Sequence, residues 1–262
     1  MVETLEPVIL SVAHSVATIR LNRPSVLNAI DAATAVAFRE AVRVIGSRDD
    51  IRVIVLRGEG RAFCAGGDVA RFEGEDREAA IDAIIAPLHE GLRALSDLPQ
   101  PSLAVVQGAA AGAGFSLAIA CDLAIAADNA KFTLAYARIG ASPDGSATYH
   151  LPRLVGLRKA KELALLAETV DAEEAQRIGL VNKVVPLADL EVEAERLVSR
   201  LAAGPSLAYG RIRALLETSL DNDLAAQLAA EQHSFRDLTG TKDFQEGVRA
   251  FLAKRPAHFQ GS

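Results

Sequence analysis

The stretch from Leu103 to Ala127, LAVVQGAAAGAGFSLAIACDLAIAA, limits the folds open to this chain more than any other. No charged residue occurs between Asp97 and Asp122, so most of it must leave water. Two kinds of burial compete. Gly108 to Gly112, GAAAG, matches the small-xxx-small pattern of packed membrane helices. Against a membrane span, Pro99, Pro101, Gln107 and three glycines interrupt a segment built mostly of alanine. The pattern instead predicts an apolar strand over 103–106, a turn carrying Gly108, Gly112 and Gly114, a short helix from about Phe115 to Ala120, and a second strand after Asp122. Glycines in such a turn let main chain approach a ligand closely, and the first amides of the helix have no intrahelical acceptor. The turn can therefore receive an anion or a developing oxyanion. A buried strand-turn-helix that meets no ligand fits the same residues.

At 262 residues the chain can bury a sizeable core, as one large domain or a domain with an appendage. Half of it is hydrophobic and tryptophan is absent, so that core is aliphatic and alanine-rich. A net charge of -6 with no long Lys/Arg run argues against a nucleic-acid partner. Cys64 and Cys121 have no second cysteine or histidine at metal-ligand spacing and read as buried free thiols in a reducing compartment. The start, MVETLEPVIL, lacks a basic region followed by an apolar one, so a cytoplasmic location without membrane insertion is expected.

Val8 to Ser11 and Val16 to Leu21 read as a hairpin. In LNRPSVLNAI, Pro24 stops the strand, and Asn28 to Asp31 offer caps for a helix over Asp31 to Ile45. Ile51 to Leu56 suits a buried strand ended by Gly58 and Gly60. In RAFCAGGDV, Ala65, Gly66 and Gly67 let main chain touch a ligand, and Asp68 can cap the segment after it. A plain glycine turn with a capping aspartate fits equally well. A mobile loop is expected from Arg71 to Arg77, then a helix over Glu78 to Leu95 kinked at Pro87. Lys131 to Gly145 reads as mostly irregular, and Leu151 to Ala167 as a helix despite Pro152 and Gly156. His150 reads as a solvent-facing or capping residue. A short helix over Ala172 to Ile178 and a strand over Leu180 to Val185 precede a chain that reads as helices only from Leu187. The order implies an α/β core with a helical appendage beginning near residue 200.

LNRPSVLNAI, RAFCAGGDV, VVQGAAAGAGFSLAIACDLAIAA, KFTLAYARIGASPDG, AQRIGLVNKVVP and the closing EGVRAFLAKRP stand in the order and rough spacing of the crotonase, or enoyl-CoA hydratase/isomerase, superfamily. The chain resembles that superfamily over nearly its whole length. The resemblance implies a spiral of ββα units over residues 1–200 that binds acyl-CoA. It also implies a helical region over 201–262 that mediates trimers, often paired into a dimer of trimers. The implied substrate is a thioester of coenzyme A, with no permanently bound cofactor. Two main-chain amides, those of Gly67 and Ala113 by motif, are implied to hold the thioester oxygen. The family usually has glycine where this chain has Ala113, so a methyl group narrows the site. Val26, Ala65 and Asp68 are implied to line coenzyme A, while Phe235 and Lys254 match positions that reach it from a neighbouring subunit. For these last two, a core aromatic and a solvated surface lysine are the competing readings.

The two glutamates of family hydratases match Ser116 and Tyr136 here. Neither is a carboxyl group, and a hydroxyl or phenol of ordinary pKa is a poor base near pH 7. Asp144 matches a position where some family isomerases carry an acid-base aspartate. One carboxylate suffices to shift a double bond, so an enoyl-CoA isomerase is expected, with Tyr136 orienting Asp144, closing the acyl pocket or simply packing. The alternatives are a hydratase, a non-catalytic acyl-CoA binder, and a serine hydrolase acting through Ser116, which would lack a G-x-S-x-G elbow.

Overall fold

The structure, a computed structural model, describes residues 6–73 and 76–262. Among these, the strands are β1 (Val8–Ala13), β2 (Val16–Leu21), β3 (Val53–Gly58), β4 (Ser102–Val106), β5 (Ala109–Ala111), β6 (Leu123–Ala127), β7 (Lys131–Thr133), β8 (Thr169–Asp171) and β9 (Lys183–Val185). The helices are α1 (Ala32–Gly46), α2 (Arg77–Asp97), α3 (Ala113–Ile119), α4 (Ala147–Val155), α5 (Leu157–Leu166), α6 (Ala172–Arg177), α7 (Leu190–Ala202), α8 (Ser206–Thr218), α9 (Leu224–Leu238) and α10 (Lys242–Leu252).

A six-stranded sheet runs β1-β2-β3-β4-β6-β9, antiparallel only between β1 and β2. A small second sheet runs β5-β7-β8. Strands β3, β4 and β6 are apolar at successive positions because both faces of the sheet are covered. Ile54, Leu56, Ala104, Val106, Ala124 and Ala126 enter the main core, while their alternates Val53, Val55, Leu103, Val105, Ile125 and Ala127 meet Leu190 and Ala194 of α7 on the other face. The Leu103 to Ala127 stretch thus forms two core strands, with β5 and the short α3 between them. No helix among the described residues is long and apolar enough to cross a membrane.

Helix α1 begins where Asp31 accepts from the Thr34 amide at 2.9 Å. Its buried face, centred on Phe38, packs on Ile84, Leu88 and Leu92 of α2. Helix α2 runs through Pro87, which is buried, so packing of its buried face offsets the roughly 3 kcal/mol cost of an interior proline. Of the loop expected over 71–77, Phe72 closes a 3-10 turn, Arg77 already opens α2, and Gly74 and Glu75 lie outside the described residues.

One expectation needs correction. The single helix over 151–167 is two helices, because Gly156 has φ +78°, which an α-helix cannot continue through. The strand β8 was illegible as only Val170 of its three residues is buried. The C-terminal helices differ from the rest. Helix α8 buries no residue, α9 only Ser234, and α10 only Asp243 and Ala250, while Leu216, Leu220, Leu224, Phe251 and Leu252 are exposed.

Candidate active site

The site begins with two stretches of main chain pressed together. The Phe63 amide donates to Gln107 O at 2.7 Å, Cys64 N to Ala109 O at 2.9 Å, and Ala111 N to Cys64 O at 2.9 Å. This approach is what the glycines serve: a Cβ on Gly108 would lie 2.1 Å from Arg61 O, and one on Gly114 2.2 Å from Cys64 O. Buried Asn28 fixes the near side, its amide donating to Glu59 O and Ala62 O at 2.9 Å each. Burial pushes the Cys64 thiol up to about 12, so it is a packing group rather than a nucleophile.

On the other edge of the 61–68 segment, Ile30 N donates to Gly66 O and Asp68 N to Ile30 O, both at 2.8 Å. A parallel bridge of this kind uses the groups on either side of Gly67 and turns the Gly67 amide away from Ile30. Ala113 is the first residue of α3, so its amide has no intrahelical acceptor. Neither amide takes a main-chain partner among the described residues. Both residues line one cavity of about 490 Å³, together with Ala65, Gly66, Gly112, Tyr136 and Asp144. Most of its remaining wall is apolar, made chiefly by Phe72, Ile81, Ile84, Ile85, Leu88 and Ile139.

Asp144 sits in the segment between the 3-10 turn Ala135–Ile139 and α4, and three side chains hold it there. The Tyr136 hydroxyl donates a short hydrogen bond to Asp144 Oδ1. The Ser116 hydroxyl donates to the Asp144 carbonyl at 2.9 Å. His89 Nε2 accepts from the Gly145 amide at 3.0 Å and lies 3.9 Å from Asp144 Oδ2. The carboxylate is 20% exposed. Glu73, the other acid on the cavity, is exposed. Burial, then the charge and hydrogen bond of Asp144, push the Tyr136 phenol well above its ordinary value, so it stays a donor. Ser116 is completely buried in α3, and a Cβ on Gly145 would lie 2.9 Å from its Cβ.

The cavity therefore collects Gly67, Ala113, Ala65, Tyr136 and Asp144, with Ser116 directly behind, and it does not collect the other candidates. Val26 is exposed on the 3-10 turn Pro24–Val26. Asp68 makes no capping bond, because its carboxylate pairs with Arg23 Nη2 at 3.3 Å. Phe235 packs edge-on against Phe244, with centroids 5.9 Å apart, but is 64% exposed. Lys254 is exposed just beyond α10 at φ +51°. His150 is half-buried against Tyr149 and lies off the cavity; burial, then Arg153, lowers its pKa. His89 escaped the sequence reading altogether. It sits on the exposed side of α2 beside Leu88, with no neighbouring motif to mark it.

The chain matches the family described as Enoyl-CoA hydratase/isomerase over residues 11–262. A Rhodobacter capsulatus protein named a probable enoyl-CoA hydratase is 43% identical over 95% of this chain and 96% of its own length. The 1,2-epoxyphenylacetyl-CoA isomerase of Escherichia coli is 35% identical over 98% of this chain and 99% of its own. The crystal structure of an enoyl-CoA hydratase from Polaromonas superposes with a TM-score of 0.91 at 35% identity, covering 97% of this chain and 99% of that one.

Proposed function

This chain belongs to the enoyl-CoA hydratase/isomerase family, and from that premise we propose that it shifts a double bond along the acyl chain of an enoyl-CoA, with Asp144 as the acid-base group. The observation that carries the reading is the half-buried Asp144 carboxylate on the same cavity as the two unpaired amides of Gly67 and Ala113. A β,γ-enoyl thioester placed with its carbonyl oxygen on those amides loses a C2 proton to Asp144. The resulting dienolate carries its charge on that oxygen, where fixed amides stabilise it without reorganising. Asp144 then returns a proton to C4. The apolar wall from α2 accommodates the rest of the acyl chain.

Hydration is the second reading, favoured by the hydratase names of the Rhodobacter and Polaromonas relatives. It asks for two proton-handling groups astride the alkene. Ser116 and Tyr136 are neutral hydroxyls that donate to Asp144 O and Asp144 Oδ1, and the Tyr136 phenol is held above its ordinary value, so neither replaces a glutamate as the second acid-base group. The experiment is to supply purified protein with a 3-enoyl-CoA and, separately, a 2-enoyl-CoA. Conjugation of the first supports the isomerase reading. Turnover of the second to 3-hydroxyacyl-CoA at a higher rate overturns it.

We also infer that other copies of the chain cover α8, α9 and α10, in a homotrimer or a dimer of trimers. The exposed leucines and Phe251 support this, and light scattering on the purified protein tests it. Phe235 and Lys254 would then reach coenzyme A bound to a neighbouring copy.

A further inference from the structure

The two oxygens of Asp144 face different partners. Tyr136 occupies Oδ1, while no hydrogen bond from the described residues occupies Oδ2, whose near neighbour is His89 Nε2 at 3.9 Å. Because Nε2 accepts from the Gly145 amide, it carries the ring's lone pair, and the ring hydrogen is on Nδ1. The imidazole is 47% exposed, against 20% for the carboxylate. On its outer side His89 lines a separate surface groove with Ala86, Glu90, Arg93, Ala94 and Asp97. Its neighbour Leu88 walls the inner cavity. His89 thus stands in the partition between the enclosed carboxylate and open water, with a proton-accepting nitrogen turned inward.

We propose that His89 is the port through which the proton held by Asp144 during turnover exchanges with water. This rests on the isomerase reading. Once Asp144 has taken a carbon-bound proton, its Oδ2 hydrogen passes to His89 Nε2, leaving carboxylate and imidazolium. Turned outward, the half-exposed imidazolium gives its Nε2 hydrogen to water and takes another in its place, then swings back and returns that one to Oδ2, so charge and hydrogen count balance. Nε2 must release the Gly145 amide and close from 3.9 Å toward the ~2.8 Å of a charge-assisted hydrogen bond, which rotation of an exposed ring allows. The proton delivered to C4 is then drawn from solvent in a large share of turnovers.

The test runs a 3-enoyl-CoA in heavy water with wild type and with His89→Gln. Glutamine keeps an acceptor for the Gly145 amide but cannot carry the proton. The readout is deuterium at C4 per molecule of conjugated product, which reports exchange of the held proton against its delivery to C4 and not the amount of product formed. The expected result is deuterium at C4 with wild type, a fall of about fivefold or more in His89→Gln, and recovery on adding imidazole. His89→Asn, which is too short to hold the loop in the same way, should show the same loss. Unchanged deuterium content in both variants overturns the port, as does a wild-type product free of deuterium at C4. A wild type that conjugates no 3-enoyl-CoA instead overturns the isomerase reading, and the two failures are therefore told apart.

Discussion

The two sides of the cavity are made in different ways. On the amide side, Gly67 and Ala113 are placed by main chain packed on main chain, Arg61 to Gly67 against Gln107 to Gly114, with hydrogen bonds of 2.7–2.9 Å between the two. On the acid side, Asp144 is placed by side chains drawn from three distant elements: Ser116 of α3, Tyr136 of the 3-10 turn and His89 of α2. The first arrangement is set by what cannot fit, the second by which hydrogen bonds form. Substitutions should therefore break folding on the amide side and chemistry on the acid side.

The largest effect should come from Gly114. A methyl there meets Cys64 O at 2.2 Å, and that carbonyl is already fixed by the Ala111 amide, so nothing can yield cheaply. Gly114→Ala should lose more than about 4 kcal/mol of stability, visible as a large fall in Tm or as no folded protein. A variant folding within a degree of wild type would show that the two stretches are not tightly packed. Next comes Asp144→Asn, which leaves every main-chain contact in place. It should keep the Tm within a few degrees while lowering double-bond transfer about a hundred- to ten-thousandfold.

Tyr136→Phe sharpens the acid side. It removes the donor to Oδ1 and should lower turnover about tenfold or more, the worth of one hydrogen bond to a charged group. A pH signature accompanies it. The folded protein binds the Tyr136 phenolic proton more tightly than the unfolded chain does. This stabilisation is whole below the unfolded value of about 10 and is lost as pH rises above it. Alkaline difference absorbance at 295 nm should show a late-titrating phenol in wild type that is missing from Tyr136→Phe. Absence of a late-titrating phenol in wild type would mean that Tyr136 is not held as described.

The same contrast explains how much could be read in advance. Close main-chain approach demands glycine, so Gly66, Gly108, Gly112 and Gly114 announced the amide side, and continuous apolar runs announced the core strands. The acid side left little trace. Asp144 was legible only through its family-like position, and Asp68 looked like a cap although Arg23 takes its carboxylate. His89 could not be found, since a histidine on the outer face of a helix gains meaning only when a loop 56 residues later folds against it. Phe235 lies on α9 and Lys254 just beyond α10, and both are exposed, so the packing of this one chain does not say what either would meet.

The smallest expected effect is the most direct check of the contrast. Ala113 is where the chain departs from the family's usual glycine, and it is 6% exposed at the start of α3. If the residue acts through its amide, the methyl group is incidental. Ala113→Gly should then lose no more than about 1 kcal/mol of stability, through a freer unfolded chain, and change turnover by less than about threefold, since the donor survives. The steric alternative gives a different sign. If the methyl crowds the thioester, the glycine variant should bind substrate more tightly and turn over faster, with the shift appearing in KM before kcat. A tenfold loss would contradict both, because it would mean that the Ala113 side chain, and not its main chain, shapes the amide side.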